Sequence, residues 1–440
     1  MSRRNLELLL LVLVGVTATV AYASVYAARF HELSRDSVVT GAVFVVLFLV
    51  VHLAERRYLA QADPYLVPIA ALLSAIGLTE IYRIAPALAW KQGEWLLIGV
   101  VLFVATVVVV RDVHRLDSYR YLIGLLGLLL LAVTAVAGTS VNGARLWTRV
   151  AGFSIQPSEF AKIAVVVFLA GYLDQNKEML SVPTARLLGV PVPALKYFGP
   201  LLVMWVLSLL MLVFMKDFGM SLLFLATFIA MLYMATTRLA YVLAGAALFA
   251  VGAGGAYQYV AHVHERFAIW IDPWRTATTS GYQLLQSLFA MADGGLFGAG
   301  FGRGYLLYAN HVPTVPELPT DFIFSAIANE LGLTGAVGLI LLYLLFAWRG
   351  FHIALRAPDG FAKLLAAGLA TVFGLQAFII IGGVTRLIPL TGITLPFVSY
   401  GGSSLTANLI LVALLLMVSH RSEVVEAGST TERLRLAELA

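Results

Sequence analysis

An aspartate follows three closely spaced prolines where the sequence changes from polar to apolar. Pro313, Pro316 and Pro319 favour an extended approach, because proline fixes φ and biases the preceding residue away from helix. Thr320 is then placed to cap a helix, with Asp321 at its first position beside the positive end of the helix dipole. A carboxylate held partly dry at such a boundary can act as a general base. The alternative is that Asp321 only supports the helix start.

A pair of charged residues follows another proline. Pro157 suits the first position of a helix, with Gln156 or Ser158 near the cap, so Glu159 and Lys162 lie at i,i+3 on one face. This pair could adjust the proton affinity of a nearby base. It could equally serve as a salt bridge that only closes the helix end.

Lys216 and Asp217 interrupt a long apolar stretch. A charged residue costs about 2.5–3.5 kcal/mol at the centre of a membrane helix, so such residues are seldom incidental. The sequence predicts either a pair that neutralises itself and fixes two helices, or a polar cavity.

A glycine run spans 294–304 and includes Arg303. It lacks the spacing of a dinucleotide fingerprint and the ending of a phosphate loop. Its backbone N–H groups could approach a phosphate, with Arg303 adding charge; a flexible lid is the alternative. Nearby, His262 and His264 lie two residues apart without further ligands, so a metal site is not predicted.

The segment 389–404 contains Pro396 and the pair Gly401–Gly402, which interrupt a helix. Irregular backbone is tolerated in a membrane only where it lines a cavity or is buried in protein. The hydroxyl groups then predicted to line a cavity are those of Ser399, Tyr400, Ser403 and Ser404. Close helix packing through small residues is the alternative.

The elements that position these residues are membrane helices. The chain has 440 residues, 60% hydrophobic and only 12% charged, with a mean hydropathy of +0.91. This composition predicts an all-α polytopic membrane protein. Cysteine is absent, which excludes disulfides and thiolate chemistry. The net charge of +5 is spread over loops without a basic cluster, so nucleic acid is not an expected partner.

Twelve spans are predicted, and the weakest boundary lies at Lys216–Asp217, where one kinked element is the alternative. The larger share of lysine and arginine falls on one side, which predicts cytoplasmic N- and C-termini. Several cations lie on the external side against this bias and suggest an anionic ligand there, with lipid headgroup contact as the alternative. These cations are Arg145, Arg149, Lys162, Lys216, Arg266, Arg275, Arg303 and Arg386. The spans are 7–28, 37–54, 65–83, 93–110, 121–138, 159–174, 198–215, 219–236, 240–260, 321–348, 364–386 and 394–418.

Together these motifs resemble the SEDS family of shape, elongation, division and sporulation proteins. The similarity covers about residues 65–420. The ordered segments that carry it are Asn142-Gly-Ala-Arg-Leu-Trp147, Gln156-Pro-Ser-Glu159 with Lys162, Lys216-Asp-Phe-Gly219, Gly281-Tyr-Gln283, the glycine run, Pro316-Glu317, Thr320-Asp-Phe-Ile-Phe324, Glu330-Leu-Gly332 and Leu395-Pro-Phe-Val-Ser-Tyr-Gly-Gly-Ser403.

The resemblance implies a core of ten transmembrane helices over 61–420 with a large extracytoplasmic loop at about 261–320. Two additional N-terminal helices would then occupy 1–60, and 421–440 would be a cytoplasmic tail. It implies a peptidoglycan glycosyltransferase that polymerises lipid II at the outer leaflet of the bacterial cytoplasmic membrane, usually with a class B penicillin-binding protein transpeptidase. Membrane lipids are further partners.

The family attributes its activity to the aspartate that matches Asp321, which implies a catalytic base at this position. Glu159 and Lys162 are expected to support it. The expected substrate-binding residues are Arg145, Trp147, Lys216, Asp217, Gln283, Arg303, Glu317, Ser399, Tyr400 and Ser403. No cofactor is assigned, and a divalent cation that bridges the pyrophosphate is left open.

Two functions from other classes compete with this interpretation. A lipid II flippase would also suit polar residues within the membrane, but it predicts a charged path across the whole bilayer. A non-catalytic scaffold would recruit the penicillin-binding protein without chemistry of its own.

Overall fold

A computed structural model describes residues 2–30, 35–141, 144–150, 152–181, 185–187, 190–192, 194–306 and 314–439. The helices are α1 (Arg3–Phe30), α2 (Arg35–Tyr58), α3 (Leu66–Ile84), α4 (Pro86–Val110), α5 (His114–Ser118), α6 (Arg120–Ala137), α7 (Pro157–Ser181), α8 (Leu195–Phe214), α9 (Phe218–Thr236), α10 (Leu239–Tyr259), α11 (Ala261–Ile271), α12 (Tyr282–Asp293), α13 (Ile323–Arg356), α14 (Gly360–Val384) and α15 (Gly402–Leu439).

The predicted all-α membrane architecture is confirmed. Among the described residues, eleven helices are long and apolar enough to cross a bilayer. The predicted span 159–174 lies in α7, whose 25 residues give a length of roughly 37 Å at about 1.5 Å per residue. α7 carries Glu159 and Lys162 near its first turn and Asp174, Lys177 and Glu178 near its other end, so its apolar stretch is shorter than the helix.

The most deeply buried helices form the centre of the bundle. α7, α14 and the first part of α15 are buried nearly all round, as expected for helices that other helices surround. α1 and α2 pack on each other, and α1 also packs along α3. The helices α8 and α9 are separate and pack on each other, so the predicted boundary at 216–217 is confirmed and the single kinked element is excluded.

Short strands form where none was predicted. β1 (Thr139–Val141), β2 (Ala144–Val150) and β3 (Phe153–Ile155) make an antiparallel sheet in order β1-β2-β3. A second hairpin pairs β4 (Ala185–Leu187) with β5 (Val190–Val192). The first sheet leads directly into α7, so it lies at the end of the bundle where Glu159 is found.

The predicted large loop is itself folded. It contains α11, a 3-10 turn at Pro273–Thr276 and α12. Residues 314–322 form bends and turns rather than the extended approach predicted from the prolines, and Pro313 lies outside the described residues. The last span begins at Gly402, so the predicted start at 394 is wrong, and residues 385–401 form an irregular segment before it.

Candidate active site

Asp321 lies in a compact turn directly before α13. The carbonyl oxygen of Glu317 accepts hydrogen bonds from the backbone N–H groups of Thr320, Asp321 and Phe322 at 3.2, 3.0 and 3.4 Å. The predicted cap is wrong, because α13 begins at Ile323 without a side-chain cap. The Thr320 hydroxyl donates instead to the carbonyl and the carboxylate of Glu317. This turn leaves the Asp321 side chain partly exposed.

Arg266 of α11 faces Asp321 across a glycine. A Cβ added at Gly392 would lie 3.5 Å from Oδ2 of Asp321 and 3.4 Å from Nη2 of Arg266. Gly392 has φ +71°, a conformation that favours glycine. The Arg266 guanidinium is held in place because its Nη1 donates to the carbonyl of Leu390 at 2.9 Å. The two charged groups therefore border one small space above the backbone of Gly392.

The surroundings of Asp321 raise its pKa to about 7. Burial is the largest cause, since it disfavours the charged carboxylate, and the negative charge of Glu317 adds to it. Arg266 acts in the opposite direction and lowers this pKa. A carboxyl group with a pKa near neutrality can both accept and release a proton at physiological pH, which suits a general base.

Helix α11 is fastened to the segment that carries Gly392. The Arg386 guanidinium donates from Nε to the carbonyl of Trp270 at 2.8 Å and from Nη2 to that of Ile271 at 2.6 Å. In return, Nε1 of Trp270 donates to the carbonyl of Arg386 at 3.1 Å. These reciprocal bonds hold α11, and with it Arg266, against residues 385–401.

Glu159 and Lys162 form a buried cluster with a third residue. Nζ of Lys162 lies 2.5 Å from Oε2 of Glu159 and donates to Oε1 of Gln376 at 2.7 Å. Nε2 of Gln376 donates to Oε1 of Glu159 at 3.3 Å and to the carbonyl of Thr394 at 3.0 Å. The predicted start of α7 at Pro157 and the predicted i,i+3 pair are both confirmed.

Residues 385–401 join this cluster to the Asp321 turn. The Thr394 hydroxyl donates to Oε1 of Glu159 at 3.3 Å. The Ser399 hydroxyl donates to the carbonyl of Thr320 at 2.5 Å, and the backbone N–H of Tyr400 donates to that of Pro319 at 2.8 Å. The carboxylate and the buried ion pair therefore lie against the same irregular segment.

Asp217 belongs to the same end of the bundle. It is buried, its Oδ1 accepts from the backbone N–H of Met220 at 3.1 Å, and it thereby caps α9. Burial raises its pKa to about 6; the Met220 N–H lowers this pKa, Glu159 raises it, and Arg266 lowers it. Of the two alternatives for Lys216 and Asp217, the self-neutralising pair does not form between these described residues, because the Lys216 side chain is exposed while Asp217 bonds Met220 and Ser158.

Two exposed cations, Arg145 and Lys216, lie near Asp217. The backbone N–H of Arg145 in β2 donates to the carbonyl of Met215, which places Arg145 beside the turn that carries Lys216. Both side chains are exposed. The sheet and the turn between α8 and α9 therefore bring Arg145 and Lys216 to the same face as Asp217.

The other predicted binding residues lie around this face and differ in exposure and hydrogen bonding. Trp147 is partly exposed in β2, opposite Thr139. Gln283 of α12 donates to the carbonyl of Pro316 at 3.5 Å, beside the exposed Glu317. Tyr400 is partly exposed, whereas the buried hydroxyls of Ser399 and Ser403 are used within the fold: Ser399 bonds Thr320, and Ser403 accepts from the N–H of Gln156 at 2.8 Å.

Arg303 lies elsewhere on the molecule. The glycine run is fastened to α13, where the carboxylate of Glu330 accepts from the N–H groups of Gly302 and Gly304 at 2.9 and 3.1 Å. The contacts of this run are with α1, α3 and α13 rather than with residues 385–401. Because these two N–H groups already donate to Glu330, they are not available to a phosphate. The same bonds hold the run against α13, which does not suit a flexible lid.

Gln376, Gly392 and Thr394 were missed as site residues, and Arg266 was predicted only as one of several external cations that suggest an anionic ligand. Arg266 carried a signal, since it is a cation on the predicted external side, and Gln376 is an isolated polar residue in the apolar sequence of α14. Gly392 and Thr394 carried none that sets them apart from the rest of their segment. Among the residues that the structure describes, no group of three or more histidine, aspartate or glutamate side chains is placed to hold a metal ion.

The fold and the site define a class: a multi-pass helical membrane protein with an acid, a facing arginine and a buried ion pair at one end of its bundle. The family model described as "Cell cycle protein" (FTSW_RODA_SPOVE) matches residues 64–424, and the chain belongs to this family.

Known relatives agree with this assignment. The chain is 42% identical over 433 residues to the peptidoglycan glycosyltransferase RodA of Mycobacterium tuberculosis H37Rv, covering 95% of this chain and 91% of the relative. It is 33% identical to stage V sporulation protein E of Bacillus subtilis, covering 82% and 97% of the two chains.

Solved structures are similar as well. A chain from a peptidoglycan synthase complex that coordinates polymerization and crosslinking superposes with a TM-score of 0.68 at 28% identity, covering 82% of this chain and 98% of that one. Thermus thermophilus RodA superposes with a TM-score of 0.57 at 28% identity, covering 82% and 97%.

Proposed function

We propose that this protein is a peptidoglycan glycosyltransferase that polymerises lipid II. The observation that carries the proposal is the Asp321 carboxylate, which is partly exposed at one end of the bundle and faces Arg266 across Gly392. The relatives named peptidoglycan glycosyltransferase RodA support the reaction class.

In this reaction Asp321 is the general base. Its carboxylate takes the proton of the acceptor sugar 4-hydroxyl as that oxygen bonds to the anomeric carbon of the donor. The bond from this carbon to the lipid pyrophosphate breaks, and the pyrophosphate leaves with the electron pair. A single displacement inverts the configuration, which joins an α-linked donor into a β-linked strand.

The leaving pyrophosphate gains negative charge that cations can stabilise. Arg266 faces Asp321 directly, and Arg145 and Lys216 lie on the same face beside Asp217. Glu159, Lys162 and Gln376 act through the segment 385–401, whose position they fix. These three are positioning residues.

The site then lies at the outer leaflet of the bacterial cytoplasmic membrane, with both termini cytoplasmic. The distribution of lysine and arginine supports this orientation. The prenyl chains of the substrates stay among the helices, in lipid. This explains why a reaction between sugars is carried by a polytopic membrane protein.

A class B penicillin-binding protein transpeptidase is the proposed partner. The solved complex that coordinates polymerization and crosslinking supports it, since one of its chains superposes on 82% of this one. A flippase is less well supported, because it would need a path of charged groups across the whole bilayer. In the central helix α7, residues 163–173 carry no charged side chain.

The test is polymerisation of lipid II by the purified full-length protein. We expect Asp321→Asn and Asp321→Ala to abolish polymer while folding and partner binding are kept. Asp272→Asn is the matched control, since this aspartate caps the 3-10 turn and pairs with the exposed Arg275. Polymer from Asp321→Asn at the wild-type rate would remove the assignment of the base.

Two further arms separate the alternatives. A scaffold predicts no polymer from the wild-type protein alone, with polymer appearing only when an active polymerase is added. A flippase predicts movement of labelled lipid II across vesicles without polymer. Repeating the assay with a chelator tests the divalent cation, which is required if polymer is lost and restored by added Mg²⁺.

A further inference from the structure

A second polar site lies at the opposite end of the bundle from Asp321. α13 starts beside Asp321 and is 34 residues long, ending at Arg356. Near that end, a cavity of about 320 Å³ lies between the start of α1, the end of α13, the loop before α3 and α15. Its charged lining consists of Arg3, Arg349, Arg356, Asp63 and Glu423.

The charges of this lining do not balance. Asp63 is buried and pairs with Arg349. Glu423 serves two cations, since it lies 2.8 Å from Arg3 and 3.5 Å from Arg356. Three guanidinium groups thus face two carboxylates, which leaves one positive charge when the nearby His352 is neutral. A ligand with one negative charge would balance the site.

The hydrogen bonding of the lining is also incomplete. Nε of Arg349 is buried and has no hydrogen-bond partner among the described residues. The Arg3 and Arg356 side chains are 39% and 52% exposed, so both can turn toward a ligand without leaving a core. A phosphate oxygen suits such groups, because arginine binds phosphate through several parallel N–H donors.

The cavity lies at the level of a membrane surface. The candidate spans Arg3–Ala28 and Ile323–Arg356 begin and end at its lining. Exposed aromatic side chains surround it, including Tyr65 and Trp348, over whose rings the Arg349 guanidinium lies at 4.9 and 5.3 Å. Exposed tryptophan and tyrosine mark the interface between bilayer and water. The cavity is therefore within reach of lipid headgroups.

We propose that this cavity binds the phosphodiester headgroup of an anionic phospholipid from the leaflet opposite the catalytic site. Basic pockets between membrane helices are suited to such headgroups. Arg3 and Arg356, which both pair with Glu423, bind the phosphate, and Arg349 supplies its buried Nε. The bound lipid ties the start of α1 to the end of α13 and to the part of α15 that carries Glu423.

The experiment measures thermal unfolding of the purified full-length protein in a neutral detergent. We expect phosphatidylglycerol to raise the Tm in a saturable manner, since a ligand that binds only the folded state stabilises it. Zwitterionic phosphatidylcholine should not. Arg356→Gln combined with Arg3→Gln should raise the half-saturating phosphatidylglycerol concentration about tenfold, as expected for a lost charge-assisted contact, and Arg356→Lys should restore part of the affinity.

Arg111→Gln is the matched control. Arg111 is exposed at the end of α4, on the same end of the bundle, and does not line the cavity. Three results would overturn the proposal: an equal response to both lipids, an equal loss in Arg111→Gln, or a full shift with inorganic phosphate alone, which would make the ligand a free anion. None of them depends on glycosyltransferase activity.

Discussion

Burial raises the proton affinity of Asp321, and two residues adjust it further in opposite directions. Glu317, four positions earlier, raises its pKa, and Arg266, from a different helix, lowers it. Because burial is the largest of these causes, the pKa of Asp321 is about 7, and the carboxyl group is only partly ionised near neutral pH. A base works only in its deprotonated form, so activity is lost as the pH falls through this value.

The first prediction concerns the acid limb of the pH–rate profile. Arg266→Gln removes a cause that lowers the pKa of Asp321, so the limb should move to higher pH. Glu317→Gln removes a cause that raises it, so the limb should move to lower pH. Initial polymerisation rates at subsaturating lipid II, measured between pH 5 and 9, give the shift of the acid limb in each variant. Shifts in the same direction would contradict the assignment of Asp321 as the titrating base.

The second prediction concerns the space above Gly392. In Gly392→Ala the added methyl group would enter the space that Asp321 and Arg266 border, at 3.5 and 3.4 Å. We expect a large loss of polymerisation together with a destabilisation of about 1 kcal/mol from the positive φ.

Gly152→Ala is its control. Gly152 has a similar φ of +86°, but nothing lies within 4 Å of an added Cβ. This variant should lose comparable stability and keep its activity. If both variants retain wild-type rates, the space above Gly392 is not used by substrate.

Sequence alone predicted the Asp321 and Glu159–Lys162 motifs but not what they contact. The local pairs were accessible because three residues along a helix share a face. Gln376 is 214 positions from Lys162, and Arg266 reaches Asp321 only because α11 packs on residues 385–401. Such contacts depend on how the helices pack, and hydropathy does not encode that. The same reason explains why the sequence could not decide whether Lys216 and Asp217 pair, since Lys216 is exposed and Asp217 is buried.

At the scale of elements, apolar length predicted the helices well and their ends less well. The start of α7 followed from Pro157, whereas α13 starts two residues after Asp321 because Glu317 gathers three N–H groups into a turn. The strands β1 to β3 were missed because they are short and lack an alternating pattern. They nevertheless position Arg145 beside the turn at Met215.

The third prediction concerns the start of α7. Lys162→Met leaves the buried Glu159 carboxylate without its cation, and breaking a buried pair costs about 3–5 kcal/mol. The Tm should fall strongly, and the double variant Lys162→Met with Glu159→Gln should recover part of it. Lys177→Met is the control, because Lys177 pairs with Asp174 at the same i,i+3 spacing on the same helix but is 47% exposed. Its effect should be about 0–1 kcal/mol.

At the scale of the whole molecule, two of the groups of buried charges lie at opposite ends of the bundle. One group surrounds Glu159 and Asp217 at the proposed catalytic end. The other lies where α1 begins and α2 ends, outside the residues 64–424 that match the family. The second group holds the two N-terminal helices together, so its integrity should affect stability without affecting the chemistry.

The last prediction follows from the residue at the centre of that second group. Arg4 pairs with both Glu7 and Glu55, and it donates to the carbonyl of Ala62 at 2.6 Å, just before α3. Arg4→Met leaves the buried Glu55 carboxylate without its cation, whereas Glu7 keeps its contact with His52. We therefore expect a destabilisation of about 3–5 kcal/mol, as is typical of one broken buried pair.

Adding Glu7→Gln and Glu55→Gln to this variant should restore much of the Tm, because neutral amides remove the uncompensated charge. Arg57→Met, at an exposed position near the end of α2, is the control and should change the Tm little. The polymerisation rate per folded molecule should stay at the wild-type value in all three variants, since Asp321 lies at the other end of the bundle. A lower rate in the triple variant with a restored Tm would instead connect the N-terminal helices to the catalytic end.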